Sequence, residues 1–347
     1  MIASLDDLGP ARLAGFDVVI DVRTPTEFAL DRLPGAINLP VLTDEERARV
    51  GTIYVQESRF LARRIGAALI ARNIADHLDV ALADKPGSFS PLIYCWRGGQ
   101  RSGAMATILD QIGWRVAVIA GGYRSWRRRV SAALYDQPLA HRLVLLDGDT
   151  GSAKTAILAA LAEHGAQTLD LEGLAEHRGS LLGALPGRPQ PSQKLFESRL
   201  LERLETLDPA RPVVVEAESS KVGERLIPPM LWRAMAAAPR IEIVAPRRAR
   251  AAYVAQVYAD AARNREGMAS LLSRLPGGHG GKRLAAWRGL LDSGALAALA
   301  EALMEAHYDP AYARGRRADP RPRLATLALS DPATPGEVVN QIIELSK

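Results

Sequence analysis

The sequence of 347 residues has little that marks a secreted or membrane protein. Its single cysteine cannot form an internal disulfide, which fits a reducing compartment. There is no run of about twenty apolar residues that could cross a membrane, and residues 1–15 lack the basic and apolar stretches of a secretory signal. The spacing of the histidines predicts no zinc site. We therefore expect a cytoplasmic protein without a membrane partner.

The composition is typical of a globular protein, with 48% hydrophobic and 24% charged residues. The length suggests about two domains. The net charge is +5, and arginines occur in clusters that could neutralise the phosphates of a nucleic acid or could simply be solvated. The candidates for RNA contact are Arg127, Arg128, Arg247, Arg248, Arg316 and Arg317.

The first part of the chain alternates strand and helix signals, which predicts an α/β domain with a mainly parallel sheet. A helix should start at Thr24-Pro25, and residues 44–82 have helical periodicity. The predicted strands are 17–21, 36–39, 91–94 and 115–119, with helices at 102–112 and after Gly122.

A linker at 136–142 separates this domain from a second α/β pattern. Its first strand, 142–146, precedes a glycine loop and an Ala/Leu-rich helix that ends near Gly165. Further strands are predicted at 167–171, 212–217 and 240–245, and residues 285–306 are strongly helical. Residues 313–323, rich in Arg and Pro, are predicted to be an extended surface loop.

Residues 94–102 place Cys95 in a glycine loop between a strand and a helix. The glycines let several backbone N–H groups point at one centre, and the helix adds its positive end. A cysteine there should have a lowered pKa and be nucleophilic. The candidate residues are Cys95, Arg97 and Arg101 as catalytic groups, and Gly98, Gly99 and Ser102 as an anion cradle.

Two chemistries fit this loop. One is sulfur or selenium transfer through Cys95. The other is phosphate ester hydrolysis, because the loop also matches the Cys-x5-Arg-Ser pattern of phosphatases.

Residues 148–155 form a second glycine loop between a strand and a helix, as a Walker A motif requires. Backbone N–H groups would surround a diphosphate, Lys154 would neutralise it, and Thr155 could reach a Mg²⁺ ion. Ala153 replaces the second glycine of the motif and does not favour a large positive φ. The candidate phosphate-binding residues are Gly148, Thr150, Gly151, Ser152, Lys154 and Thr155.

Acidic residues follow two strands of the second domain. Glu216 and Glu218 end an apolar strand like the one that usually holds the metal in P-loop proteins, and Asp170 and Glu172 follow the preceding strand. All four are candidates for acid or metal-linked roles. The alternative is a set of solvated acids at strand ends.

Three segments in order, 21–28, 33–38 and 118–126, resemble the signatures of rhodanese domains and favour sulfur or selenium transfer. The histidine usual before the Pro-Gly-Ala turn is Leu33 or Arg32 here. A rhodanese domain joined to a P-loop domain resembles the tRNA 2-selenouridine synthase family. The resemblance extends from about residue 15 to about residue 312, and its supporting segments are 95–102, 170–180, 215–219 and 307–312.

The resemblance implies a rhodanese-like domain at 1–135 and a P-loop-containing domain with a helical C-terminal part at 136–347. The implied substrate is tRNA with 2-thiouridine at the wobble position. Its sulfur would receive a geranyl group from geranyl diphosphate, and selenium from selenophosphate would then replace the S-geranyl group. Cys95 matches the family's active-site cysteine and is expected to pass through an S-selanyl form. No tightly bound cofactor is expected.

Two other functions stay open at the level of sequence. The chain could be a thiosulfate sulfurtransferase fused to a nucleotide-binding domain with no RNA role. It could also be a module that binds tRNA or anions without turnover. The oligomeric state is not predicted.

Overall fold

A computed structural model of the chain describes residues 2–180, 182–276 and 279–346. The chain divides into two compact units. The cysteine unit comprises Met1–Asp136 with Glu197–Glu202, and the phosphate-loop unit comprises Gln137–Phe196 with Arg203–Lys347. Met1 and Lys347, the outer limits of the two predicted domains, lie outside the described residues.

Strands and helices alternate through most of the chain. The strands are β1 (Ala3–Leu5), β2 (Val18–Asp21), β3 (Ile37–Asn38), β4 (Pro91–Tyr94), β5 (Ala117–Ile119), β6 (Leu143–Gly148), β7 (Gln167–Leu169), β8 (Val213–Glu216), β9 (Lys221–Val222), β10 (Arg225–Leu226), β11 (Arg240–Val244) and β12 (Arg323–Ala328). The helices are α1 (Pro10–Leu13), α2 (Pro25–Leu30), α3 (Asp44–Gln56), α4 (Arg59–Asp79), α5 (Gln100–Ile112), α6 (Tyr123–Ser131), α7 (Lys154–Glu163), α8 (Leu171–Leu174), α9 (Gln193–Glu205), α10 (Pro229–Ala237), α11 (Arg247–Val257), α12 (Arg265–Ser273), α13 (Gly281–Asp292), α14 (Leu296–Leu303), α15 (Asp309–Arg317) and α16 (Gly336–Ser346). Short π-helical segments occupy Ala132–Asp136 and Met304–Tyr308, and a 3₁₀ turn occupies Ala261–Arg263.

The cysteine unit is built on a five-stranded sheet of order β1-β5-β4-β2-β3. Every neighbouring pair is parallel. All four residues of β4 are buried, as expected of a central parallel strand covered on both faces. Its core includes Ile20, Ile93, Met105 and Leu109. Because the carboxyl ends of parallel strands meet at one edge, the loop after β4 lies where α/β sheets bind ligands.

The phosphate-loop unit has its own five-stranded sheet, of order β12-β11-β6-β8-β7. Its pairs are also parallel. Buried residues of the sheet, α7 and α16 form one apolar core, while residues of α12, α13 and α14 form a second, helical one. The predicted fold class, with two parallel α/β units and a helical C-terminal region, is confirmed.

The helical pattern over 44–82 proves to be two helices, because residue 58 starts a new one. The Thr43 side chain accepts a hydrogen bond from the backbone of Glu46 and caps α3. The Ser58 side chain accepts one from the backbone of Leu61 and caps α4. Such caps satisfy N–H groups that have no partner within the helix.

The prediction of an extended loop over 313–323 is wrong. Residues up to Arg317 belong to α15, which has Pro310 in its first turn, where the missing N–H of proline costs nothing. Residue 323 begins β12, which pairs in parallel with β11 at the edge of the sheet. Only residues 318–322 connect the two elements without regular structure.

The edge strand β1 was also not predicted, since its three residues are largely exposed and form no apolar run. It pairs with β5 in parallel. No helix among the described residues is long and apolar enough to cross a membrane.

Candidate active sites

Cys95 lies directly after β4, and α5 begins five residues later at Gln100. Its side chain is only 4% exposed. The Sγ atom accepts hydrogen bonds from the backbone N–H of Gly99 at 3.3 Å and from the Ser102 hydroxyl at 3.2 Å. Cys95, Gly99 and Ser102 of the predicted site therefore come together in the structure.

These hydrogen bonds decide the charge of the thiol. Burial by itself would raise the pKa of Cys95, but hydrogen bonds from the Ser102 hydroxyl and from the backbone of Ser102, Arg97 and Gly99 outweigh it and lower the pKa. A lowered pKa favours the thiolate, which is the nucleophilic form. The donors that lower the pKa of Cys95 are neutral hydroxyl and backbone N–H groups.

The start of α6 fixes the cysteine loop from the other side. The backbone N–H of Tyr123 donates to the carbonyl of Cys95 at 2.8 Å, and that of Arg124 donates to the carbonyl of Trp96 at 3.2 Å. Gly122 has φ 60°, and a Cβ atom there would lie 2.3 Å from the Cys95 carbonyl oxygen. This contact explains why residue 122 is glycine.

The two arginines of the loop differ in their surroundings. Arg101 donates to both carboxylate oxygens of Glu27, at 2.7 and 3.4 Å. Burial would raise the pKa of Glu27, but Arg101 outweighs it and lowers that pKa. Arg97 is exposed and has no ion pair within the described ranges. Arg97 is thus the arginine available to an incoming anion.

A buried ion pair lies next to Tyr123, the residue whose backbone N–H binds the cysteine loop. Arg23 and Asp21 meet at 2.6 Å, both almost fully buried. The Arg23 guanidinium lies 4.1 Å from the centre of the Tyr123 ring, and the Tyr123 hydroxyl donates to Asp31 at 2.7 Å. Arg23 and Asp31 therefore fix the side chain of Tyr123, and the backbone N–H of Tyr123 binds the carbonyl of Cys95 in the loop.

A cavity of about 1170 Å³ opens beside Cys95 within the cysteine unit. Helices α3, α4 and α5 line it with mostly apolar side chains, including Val50, Ala67 and Ile70, while Arg97 and Arg101 border it near the loop. The cysteine is therefore accessible from a space that suits a ligand of substantial size.

The phosphate loop runs from the end of β6 to the start of α7. Lys154 Nζ donates to the carbonyl of Gly148 at 2.8 Å, so the lysine folds back over the loop. Gly151 has φ 83°, and Ala153 adopts φ 59° and ψ 29°. The loop thus keeps the left-handed conformation that glycine usually supplies, at a cost for alanine of about 1–2 kcal/mol.

Arg250, which sequence reasoning missed, holds the phosphate loop from outside. Its buried guanidinium donates to the carbonyl of Thr150 at 2.9 Å and to both oxygens of Asp309 at 3.1 and 3.0 Å. Asp309 starts α15, so one arginine joins the loop to that helix. The signal in the sequence was that Asp309 lies in segment 307–312, one of the segments that support the family resemblance.

The electrostatic surroundings of Lys154 favour its charged form. Burial alone would lower the pKa of Lys154, but Tyr312, Glu218, Glu172 and Asp147 together raise it. A permanently charged lysine within a loop of N–H groups is suited to bind a phosphate or diphosphate.

Two of the predicted acids meet next to Thr155. The Thr155 hydroxyl donates to Glu172 at 2.8 Å. Burial and the charge of Glu218 raise the pKa of Glu172 to about 7. Gly179 lies against both carboxylates, since a Cβ atom there would lie 2.3 Å from Glu172 Oε1 and 2.9 Å from Glu218 Oε1.

The other two acids serve the local structure. Asp170 caps α8 by accepting the backbone N–H of Gly173 at 2.7 Å. Glu216 is fully buried at the end of β8 and accepts the backbone N–H of Leu171 at 3.0 Å. Burial raises the pKa of Glu216 well above its usual value, so its neutral form is favoured.

The residues around Thr155 fit a Mg²⁺ ion only as a partner of a bound phosphate. Within the described ranges, no group of three His, Cys, Asp or Glu side chains could hold a metal ion. Mg²⁺ usually keeps several waters and binds through few protein groups together with substrate phosphates. Thr155 would hold such an ion, which would supply charge neutralisation.

The six arginines predicted to contact RNA fall into two groups. Arg127, Arg247 and Arg316 form ion pairs with Asp31, Asp309 and Asp149, respectively. Arg128 is exposed and donates to Ser125. Arg248 and Arg317 are exposed and have no ion pair in the part of the chain that the structure describes. The last three are the most available to a phosphate backbone.

Comparison with known proteins places both units. The rhodanese-like domain model matches residues 9–129, and the model of the tRNA 2-selenouridine synthase AAA domain matches residues 141–272. Fold and loops together define a two-domain protein that joins a rhodanese-like domain to a P-loop domain. A tRNA 2-selenouridine synthase from Cupriavidus pinatubonensis is 34% identical over 331 residues, which cover 85% of this chain and 87% of that protein. The chain belongs to the tRNA 2-selenouridine synthase family.

Other relatives match over shorter stretches. A tRNA 2-selenouridine synthase from Aeromonas salmonicida is 38% identical over 243 residues, which cover 69% of this chain and 64% of that protein. The chain thus matches less than two thirds of the length of that relative. A solved rhodanese-related protein from Thermoplasma volcanium is 19% identical with a TM-score of 0.24, covering 37% of this chain and 91% of that one.

Proposed function

We propose that this protein converts 2-thiouridine at the wobble position of tRNA into 2-selenouridine in two steps, one in each unit. The observation that carries the proposal is that one chain of this family holds both a cysteine loop that lowers the pKa of Cys95 and a phosphate loop closed by Lys154. The first suits selenium transfer and the second suits a diphosphate substrate.

We assign the first step, geranylation, to the phosphate loop. The sulfur of 2-thiouridine forms a bond to C1 of geranyl diphosphate, the C1–O bond breaks, and the base loses the proton of its ring nitrogen. Diphosphate leaves with the bonding electrons. Lys154 and the loop N–H groups stabilise the charge that develops on it, which is electrostatic catalysis.

We assign the second step, selenation, to the cysteine loop. Selenium from selenophosphate bonds to the base carbon as the geranyl thiolate leaves, and water cleaves the Se–P bond to release phosphate. The Cys95 thiolate accepts the proton of that water and passes it to the geranyl thiolate. Alkylation makes the sulfur a better leaving group than a thiocarbonyl. Arg97 and the N–H groups around Cys95 suit the selenium anion, and the neighbouring apolar cavity suits a base that carries a hydrocarbon chain.

Both small molecules are substrates in this proposal, and tRNA is the macromolecular partner. Exposed arginines such as Arg128, Arg248 and Arg317 would contribute phosphate contacts, which dominate RNA affinity and weaken with salt.

The test is reconstitution with purified protein, 2-thiouridine-containing tRNA, geranyl diphosphate and selenophosphate, followed by mass spectrometry of the digested nucleosides. We expect 2-selenouridine only when both small molecules are present, and S-geranyl-2-thiouridine when selenophosphate is omitted. Unchanged 2-thiouridine from protein with a cooperative thermal unfolding transition would contradict the proposal. Thiosulfate-dependent sulfur transfer by the same preparation would then favour a sulfurtransferase.

A further inference from the structure

A second cavity lies in the phosphate-loop unit, next to the phosphate loop. Its volume is about 630 Å³, within the range of about 300–1,000 Å³ that is common for small-ligand sites. It is lined by residues from the end of β8, from α10 and from α15 with the turn that follows. Neither the geranylation step nor the selenation step has been assigned to this cavity.

Two aromatic side chains line this cavity, Trp232 from α10 and Tyr312 from α15. Both are partly exposed, so each has ring surface left for a ligand. Aromatic side chains are the usual surface on which proteins stack an unpaired RNA base. Lys154 Nζ lies 5.9 Å from the centre of the Tyr312 ring, so this ring also borders the phosphate loop.

The charged groups of the cavity argue against a further phosphate as its ligand. Glu218 and Asp147 line it, and they would repel an anion. The two arginines in the lining, Arg316 and Arg321, are already paired with Asp149 at 2.5 Å and Asp319 at 2.7 Å. A neutral planar ring that donates an N–H suits this combination of aromatic faces and carboxylate acceptors.

The surface beside the cavity is basic. Helix α15, which supplies Tyr312, also carries Arg314 and Arg317, and both are exposed. A nucleic acid strand could therefore place a base in the cavity while its phosphates meet these arginines.

We propose that this cavity, lined by Trp232, Tyr312 and Glu218, binds the thiouridine base of tRNA after it leaves the base stack. The base stacks on the aromatic rings, its ring N–H donates to Glu218, and its sulfur faces the diphosphate substrate on the phosphate loop. Enzymes that modify a base generally extrude it in this way. The inference rests on the proposed function and deepens it, because it locates the acceptor of the geranyl group.

Photochemical crosslinking locates the base directly. The thiocarbonyl of 4-thiouridine absorbs long-wavelength ultraviolet light and crosslinks to groups that it contacts, so full-length protein would be irradiated with a tRNA that carries 4-thiouridine at the wobble position, in the presence of inorganic diphosphate. We expect crosslinked peptides from α10 or α15, including residue 232 or 312. Crosslinks found exclusively in other segments would overturn the assignment.

Kinetics of the variants gives the second measurement. Trp232→Ala and Tyr312→Ala should each raise the KM for 2-thiouridine tRNA in geranylation by about tenfold, since a stacked base contributes about that much affinity. In Trp232→Ala the KM for geranyl diphosphate should stay within about twofold, a margin that matches the usual effect of changes away from a site. Tyr312→Phe keeps the ring and should restore the KM for tRNA.

Glu218→Ala removes the acceptor, with Glu163→Ala on the exposed end of α7 as the matched control. The first variant should lower the ratio between the Kd of an N3-methylated 2-thiouridine stem-loop and the Kd of the unmethylated one, and the control should not. Unchanged tRNA KM values in Trp232→Ala and Tyr312→Ala would contradict the base site. Absence of geranylation by the wild type would contradict the proposed function instead, while the crosslinks would still report where the base binds.

Discussion

The cysteine loop and the phosphate loop occupy equivalent places in their units. Each follows a buried central strand, β4 or β6, and each leads into the first turn of a helix, α5 or α7. Each also contains residues with positive φ, which are Gly98 at φ 67° in one loop and Gly151 at φ 83° with Ala153 at φ 59° in the other. Both loops therefore depend on backbone conformations that L side chains rarely adopt.

The charges are opposite. In the cysteine loop, neutral donors surround a sulfur and lower the pKa of Cys95, so the loop favours an anion of its own. In the phosphate loop, Tyr312 and nearby carboxylates raise the pKa of Lys154, so the loop favours a cation that receives an anion. A strand–loop–helix unit thus supplies N–H groups in both loops. The side chain in the loop, Cys95 or Lys154, decides whether these groups stabilise a nucleophile or bind a ligand.

The largest expected effect comes from removing the sulfur. Cys95→Ala should reduce selenation of pre-geranylated tRNA by about 10³- to 10⁴-fold, the upper range for loss of a group that takes the proton in the reaction. Geranylation of 2-thiouridine tRNA should persist because it is assigned to the other loop. The measurement is the rate of each product by nucleoside mass spectrometry. Equal loss of geranylation and selenation would contradict the assignment of the two steps to separate loops.

The reciprocal change is Lys154→Ala. Geranylation should fall by about 10²- to 10³-fold, since one charged donor to the leaving diphosphate is lost. Selenation of supplied S-geranyl tRNA should continue at the wild-type rate in the same preparation. A variant that geranylates normally would show that the diphosphate binds elsewhere.

A smaller effect sharpens the account of the cysteine loop. Ser102→Ala removes a hydroxyl donor to Sγ and should raise the pKa of Cys95, so that less thiolate is present at neutral pH. Alkylation by iodoacetamide at pH 7 should slow by roughly two- to tenfold, the value of a typical net hydrogen bond of about 0.5–1.5 kcal/mol. The rates of variant and wild type should converge at high pH. Ser131→Ala, at an exposed position, is the control.

The smallest effect concerns the phosphate loop. Ala153→Gly relieves about 1–2 kcal/mol of left-handed strain but loses a buried methyl group worth about 0.8 kcal/mol. It also adds freedom to the unfolded chain worth about 0.4–1 kcal/mol. The free energy of unfolding should therefore change by less than about 1 kcal/mol, as measured by denaturant titration. A loss well beyond that would mean that the methyl group is needed in the core.

Much of the fold could be predicted because its central strands are buried on both faces and appear as apolar runs, as in β4, β6 and β8. The edge strands β1 and β12 lack that signal, because most of their residues are exposed. Residues 309–317 form a helix because Pro310 and the ion pairs of the arginines outweigh a composition that favours loops.

The candidate sites show the same limit. Loop residues next to Cys95 and Lys154 were predictable, because glycines and a reactive side chain stand together in the chain. The partnership of Arg250 with Thr150 and Asp309, and the stacking of Arg23 on Tyr123, depend on residues far apart in sequence. No spacing rule within one sequence connects them.

Gly179 offers a marker that can be followed across relatives. It lies against the Glu172 and Glu218 carboxylates, so any larger side chain would have to displace one of them. The three positions should therefore change together among homologues: where glycine is replaced, at least one of the two glutamates should be shortened or lost.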